Sequence, residues 1–101
     1  MRTIYRVSTK SGFYRTFHAT EAEAQERINS NPQDELVIST IEIEDKQKWY
    51  AVYISNDSFC TDFDAMYCAA TAEYQARAIG EQYIRQWNLY GQRIQRIQRV
   101  C

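Results

Sequence analysis

Residues 19–28 read ATEAEAQERI and residues 70–79 read ATAEYQARAI. With one gap allowed, both carry Ala-Thr, Ala-Glu, Gln, Arg and Ile in the same order. Self-similarity at such a spacing points to a structural unit used twice. Each copy lies where a helix should begin. Thr20 is an N-cap with Glu23 three residues on, the pattern of a capping box. Thr71 reads as the second N-cap, with Glu73 in a first turn where the helix dipole favours an acid.

The flanks of the two copies also correspond. Ahead of the first lie TIYRVS and FYRTFH, joined by TKSG; apolar-polar alternation around a Ser-Gly turn predicts a β-hairpin. Ahead of the second lie WYAVYIS and, after SNDS, FCTDFDAMYCA, a second hairpin with a longer and more acidic second arm. After the first helix, NSNPQDE is a loop and LVISTIEIE is a strand rich in β-branched residues. After the second, NLYG stops the helix with Gly91 as its C-cap. QRIQRIQRV then closes the chain but for Cys101.

The order is therefore ββαβ–ββαβ, and the fold class is α+β: mostly antiparallel sheet with two helices packed on one face. The 101 residues form one domain by length, with pseudo-repeat units of about residues 1–45 and 46–101. One continuous sheet, or two small sheets with the helices between them, both satisfy this pattern. The second helix, about residues 72–88, is the stronger of the two. Ala72, Ala76, Ile79, Tyr83 and Trp87 fall on one stripe, with Gly80 and Ile84 beside it.

The segment 92–100 has a period of three, and helix and strand distribute its arginines differently. In a helix Arg93, Arg96 and Arg99 share one stripe, because three residues advance about 300°. In a regular strand Arg96 faces away from the other two, unless a bulge intervenes. The preceding Gly stop and the β-branched end favour a strand. A basic surface then forms only if the N-terminal strand lies alongside and adds Arg2 and Arg6.

Composition excludes several classes. With 45% hydrophobic residues, one Pro and three Gly, the chain is neither disordered nor linker-rich. No apolar run reaches the length of a membrane-spanning helix, so no membrane association is expected. The N-terminus lacks the apolar core of a signal peptide, which predicts a cytoplasmic protein. Reduced thiols at Cys60, Cys68 and Cys101 follow from that compartment. Cys60 and Cys68 are too far apart in sequence for a zinc motif, and no second Cys/His pair accompanies them.

Catalytic signals are missing. His18, the single histidine, sits at a strand-to-helix junction and reads as structural. Asp57, Asp62 and Asp64 match neither an EF-hand nor a two-metal pattern and read as a solvated hairpin. The three glycines are isolated, so there is no phosphate-binding loop. The expectation is a non-enzyme with no cofactor and no metal.

Charge carries the remaining information. The net charge is −1, but its distribution along the chain is uneven. Residues 1–20 hold Arg2, Arg6, Lys10 and Arg15 and no acid. Glu21, Glu23, Glu26, Asp34, Glu35, Glu42, Glu44 and Asp45 then follow against a single Arg27. Acids in a first helical turn suit the dipole, which accounts for Glu21 and Glu23 but not for the later ones. The acidic set, Glu21, Glu23, Glu26, Asp34, Glu35, Glu42 and Glu44, is the candidate surface for a protein partner with a basic face. The chain is also rich in Tyr and Arg, which interface hot spots prefer. An alternative is a small nucleic-acid-binding module using Arg2, Arg6, Arg93, Arg96 and Arg99, with one aromatic face of WYAVYIS as a stacking platform. Trp49, Ala51 and Tyr53 share one face of that strand; Tyr50, Val52 and Ile54 share the other. A third reading is a subunit of a homo-oligomer such as a homodimer, with aromatic faces buried between copies.

In size, charge and strand–helix rhythm, including FHATEAEAQ and YCAATAEYQ, the chain resembles small inhibitor proteins of phages and mobile elements of the anti-CRISPR type. That resemblance implies a non-enzymatic inhibitor or adaptor. It would block a nucleic-acid-binding host complex by steric and electrostatic occlusion.

Overall fold

The computed structural model describes residues 1–61 and 64–101. The chain divides into two compact units, Met1–Asp45 with Cys101, and Lys46–Val100. The first contains β1 (Arg2–Ser8), β2 (Thr16–His18), α1 (Glu21–Ser30), a 3-10 turn (Pro32–Asp34) and β3 (Val37–Ile43). The second contains β4 (Lys48–Ser55), β5 (Ala65–Ala70), α2 (Glu73–Gln86) and β6 (Arg93–Arg99). The ββαβ order thus occurs twice. Each unit has its own three-stranded sheet, with its first strand at the centre: β2-β1-β3 and β5-β4-β6. All neighbouring strands are antiparallel. Two separate sheets form, rather than one continuous sheet.

In the first unit the register places Thr3, Tyr5 and Val7 on one face of β1. Val7 packs with Ala24 of α1 and with Leu36, flanked by Tyr5, Ile28 and Ile38. Only Ala24 of α1 is fully buried. A small residue at that point lets the short helix lie close to the sheet. The Thr20 hydroxyl accepts the Glu23 N–H at 3.2 Å, so this cap forms as the sequence predicts. Arg2, Ile4, Arg6 and Ser8 face away from α1, opposite Ile43, Ile41, Ser39 and Val37.

The first hairpin differs from expectation. Phe13 and Tyr14 belong to its loop, and β2 starts only at Thr16. The cause is Thr9. Its N–H donates to the Phe13 carbonyl and its hydroxyl accepts the Phe13 N–H, both at 3.0 Å. The loop closes there, and the chain then passes through left-handed conformations at Gly12 (φ 89°) and Tyr14 (φ 56°) before pairing resumes.

In the second unit Tyr50, Val52 and Ile54 face α2. They form the larger core with Cys68, Ala70 and Ala76, closed by residues including Ile79, Tyr83, Ile84, Ile94 and Ile97. Gly80 brings helix and sheet together: a Cβ there would lie 2.8 Å from Val52 Cγ1. Burial pushes the Cys68 thiol pKa up, because the apolar core disfavours the thiolate.

Three local expectations for α2 are corrected. The N-cap is Ala72 rather than Thr71. The Thr71 N–H and hydroxyl instead donate to Gln75 Oε1, at 2.9 and 2.6 Å, so a glutamine side chain reaches back where a hydroxyl was expected to cap. The helix stop is Asn88, not Gly91. Asn88 is left-handed (φ 53°), Leu89 N–H reaches the Ile84 carbonyl at 2.9 Å, and Asn88 N–H reaches that of Arg85 at 3.3 Å. This is a Schellman closure, and Leu89 and Ile84 share the core beneath it. Gly91, also at positive φ, serves the turn into β6. Trp87, assigned to the apolar stripe by periodicity, caps the helix and is 61% exposed.

The segment 93–99 is a strand, as favoured from sequence, and it carries a bulge. Tyr53 pairs with Arg96, yet Ile54 pairs with Ile94, so Gln95 is the extra residue. Gln95 Nε2 donates to the Ser55 carbonyl at 3.0 Å. The bulge allows Ile94 and Ile97, three residues apart, both to face α2.

Candidate functional site

The seven candidate acids all fall in the first unit, and every one of their side chains is exposed. They do not form one cluster. Glu23 and Glu26 line an open groove of about 370 Å3 beside α1, together with His18, Arg27, Ser30 and Asn31. Glu21 begins the helix and is not part of that groove. Asp34 ends the 3-10 turn, and Glu35 follows it in a left-handed conformation (φ 51°). Glu42 lies on β3, where it accepts the Thr3 hydroxyl at 2.9 Å. Glu44 follows β3, and the neighbouring Asp45 pairs with the N-terminal ammonium at 3.0 Å. Among the described residues, Glu21, Glu23, Glu26, Asp34 and Glu35 have no cationic partner within ion-pair distance.

The uneven charge coincides with the division into units. Residues 1–45 hold eight acids against five bases, a net of −3. Residues 46–100 hold five acids against seven bases, a net of +2, which together give the −1 of the whole chain.

The five arginines of the alternative surface are split. Arg2 and Arg6 lie on β1, whose strand neighbours are β2 and β3; β6 pairs with β4. The N-terminal strand is therefore not hydrogen-bonded beside the arginine strand, which was the condition for a basic surface across both. Within β6 the bulge puts Arg93 and Arg96 opposite Ser55 and Tyr53, on the face turned away from α2. Arg99 lies opposite Tyr50 and so shares the α2 side. The Arg96 guanidinium sits 4.1 Å from the centre of the Tyr53 ring, a cation–π contact.

The face turned away from α2 also carries Trp49 and Tyr67, stacked at 6.4 Å with their planes 5° apart. It is not an open stacking platform along its length. Ala51 and Tyr53, at its centre, are 1% and 7% exposed and pack with Ala65 and with Cys60 and Tyr67. β4 is buried on both faces through its middle. Strand periodicity of apolar residues cannot separate that arrangement from a half-exposed platform.

The remaining chemistry-bearing side chains serve local structure. His18 Nε2 and Thr16 Oγ1 are 2.8 Å apart on β2. Asp57 Oδ1 accepts the Phe59 N–H, and Asp64 Oδ2 accepts that of Thr61, both at 2.9 Å. Asp62, the middle member of that acidic trio, lies outside the described residues. Cys60, Cys68 and Cys101 are not joined in disulfides. Cys68 joins the core under α2, whereas Cys60 packs on the opposite face. Among the described residues no group of three or more His, Cys, Asp or Glu could hold a metal ion, and no helix is long and apolar enough to cross a membrane.

Sequence reasoning missed the exposed aromatics. Phe13, Tyr14, Phe59, Tyr74, Trp87 and Tyr90 are each at least half exposed. For Phe13 and Tyr14 a signal was present: a Thr two residues before Ser-Gly can bind its own turn through its hydroxyl. Compared with known proteins, the chain matches no protein-family model, no curated protein and no solved structure.

Proposed function

We propose that this chain is a non-catalytic protein-binding module, an inhibitor or adaptor that works by occupying a basic surface of its partner. The observation that carries this reading is the set of five exposed carboxylates in the first unit, Glu21, Glu23, Glu26, Asp34 and Glu35, without cationic partners among the described residues. Unpaired surface acids cost little in isolation. Concentrated in one unit of net −3, they make a field that draws a basic protein and speeds its docking. Basic protein surfaces commonly serve nucleic acid, so the natural target is a nucleic-acid-binding complex of the host cytoplasm. Occlusion of its groove would inhibit it, in the manner of the anti-CRISPR-like proteins of phages and mobile elements.

The test is affinity capture from nuclease-treated host lysate with the wild-type chain and with Glu21→Lys/Glu23→Lys/Glu26→Lys. The expected result is one stoichiometric protein captured by the wild type and lost by the folded variant. Equal capture by both would end the acidic-surface reading. No capture by either, with a dimer seen in light scattering, would favour a self-assembling subunit.

A further inference from the structure

We propose that the open edge of β3 takes an extended, basic segment of the protein partner as one more strand of the first unit's sheet. The inference rests on the reading of a partner with a basic face and adds the backbone contact that holds it.

β3 pairs with β1 alone. On its other side, every second residue turns its N–H and C=O outward, where an incoming strand can bond them. Among the described residues no backbone group of a turn or loop bonds to the main chain of Val37–Ile43. Val37, Ser39, Thr40 and Glu42 are exposed. Five of the seven residues of β3 are β-branched, and the strand carries no Pro, no Lys and no bulge. Those are the devices that keep an edge from pairing.

The other edges are protected. β2 has only three residues, a poor template for a further strand. β6 is broken by the bulge at Gln95 and carries three arginines. No residue of β5 is exposed.

Charge selects the occupant. Asp34 and Glu35 precede β3 and Glu42 lies on it, all three exposed, and residues 34–43 hold no base. The cations of this unit belong to other elements. Arg2 and Arg6 lie one strand inward, opposite Ile43 and Ser39, and the Arg6 guanidinium rests against Gly12, 3.3 Å from where its Cβ would be. Lys10 and Arg15 are in the loop that leads from β1 to β2, away from β3. Arg27 lines the α1 groove with Glu23 and Glu26. A second copy paired antiparallel about Thr40 would set Glu35 against Asp45 at both ends of the shared ladder, and like charges so placed repel. A segment with Lys or Arg at its ends meets acids instead. Main-chain bonds then supply affinity, and the alternate side chains supply specificity.

The experiment is fluorescence anisotropy of the full chain with a labelled peptide of about nine residues, alternating Val and Thr with lysine at both ends. One control has glutamate at both ends. A second keeps the lysines but has two adjacent central amides N-methylated, one on each edge of the peptide. The lysine-ended peptide should bind at low salt. The glutamate-ended one should bind about threefold or more weakly, and the methylated one about tenfold or more weakly. On binding, hydrogen exchange of alternate amides within Val37–Ile43 should slow about tenfold or more. Asp34→Asn/Glu35→Gln/Glu42→Gln should remove the preference for lysine ends, with circular dichroism as the check on folding. If that variant does not fold, the exchange measurement on the wild type decides.

Equal binding of the methylated peptide overturns strand addition and leaves the acidic-surface reading intact. No binding of the lysine-ended peptide also overturns it, and capture lost in Glu21→Lys/Glu23→Lys/Glu26→Lys would still support the acidic surface. Slowed exchange on another strand instead of β3, or a dimer with β3 protected before peptide is added, overturns the proposal as well. An unchanged preference for lysine ends in the folded neutral variant overturns the choice of a basic segment.

Discussion

Gly80 of α2 faces Val52 of β4 so closely that a Cβ on the glycine would stand 2.8 Å from Val52 Cγ1. Val52 is fully buried and β-branched, so it has one strongly preferred rotamer and little room to turn aside. The contact sets how near the helix lies to the strand.

Gly80→Ala therefore tests two opposed effects. Alanine in a helix interior gains about 1 kcal/mol over glycine. Overpacking a closed core costs about 1–3 kcal/mol. With Ile94 Cδ1 also at 3.0 Å, the clash should win. A net loss of about 1–2 kcal/mol in urea unfolding is expected. A stabilised variant would mean that α2 stands farther from the sheet.

Deleting Gln95 should be tolerated. The residue is the extra one in the β4–β6 ladder, so its removal leaves Ile94, Arg96 and Ile97 alternating as a regular strand would. The direct loss is its hydrogen bond to the Ser55 carbonyl, about 1 kcal/mol. A drop of more than about 3 kcal/mol would show that the strand was regular and that the deletion turned an isoleucine out of the core.

Cys68 should make stability fall at alkaline pH. Its pKa is raised by burial, so the native state holds the proton more tightly than the unfolded chain. Its contribution is complete below the ordinary thiol range and is lost as pH rises through that range towards the raised value. Cys68→Ala creates a small cavity but removes this dependence. The gap between wild type and variant, read by urea midpoints, should be largest near neutrality and narrow above about pH 9. A constant gap would place the thiol in contact with solvent.

Much of the architecture is legible in the sequence. The Ala-Thr helix starts, the hairpins ahead of them and the β-branched run after α1 are local signals, set within a few residues of themselves. They produced the doubled ββαβ order. The errors were also local. Asn88 took the left-handed stop in place of Gly91 because Leu89 could then close over Ile84. Thr71 lost its cap because Gln75 reaches back to it. Phe13 and Tyr14 left the strand because the Thr9 hydroxyl closes the turn early. In each case a side-chain hydrogen bond or an apolar contact outweighed a backbone preference worth about 1 kcal/mol or less.

The candidate surfaces were less legible. The acids could be named from sequence, and their concentration in one unit followed from the order of charges along the chain. Which arginines share a face could not. By itself, the sequence determined the repeated element order and the separation of charge, because both depend on neighbours in the chain. Only the tertiary structure decided that there are two sheets, that a bulge brings Arg93 and Arg96 together, and that the middle of β4 is closed on both faces. Strand pairing and burial join residues tens of positions apart, and no local pattern records those partners.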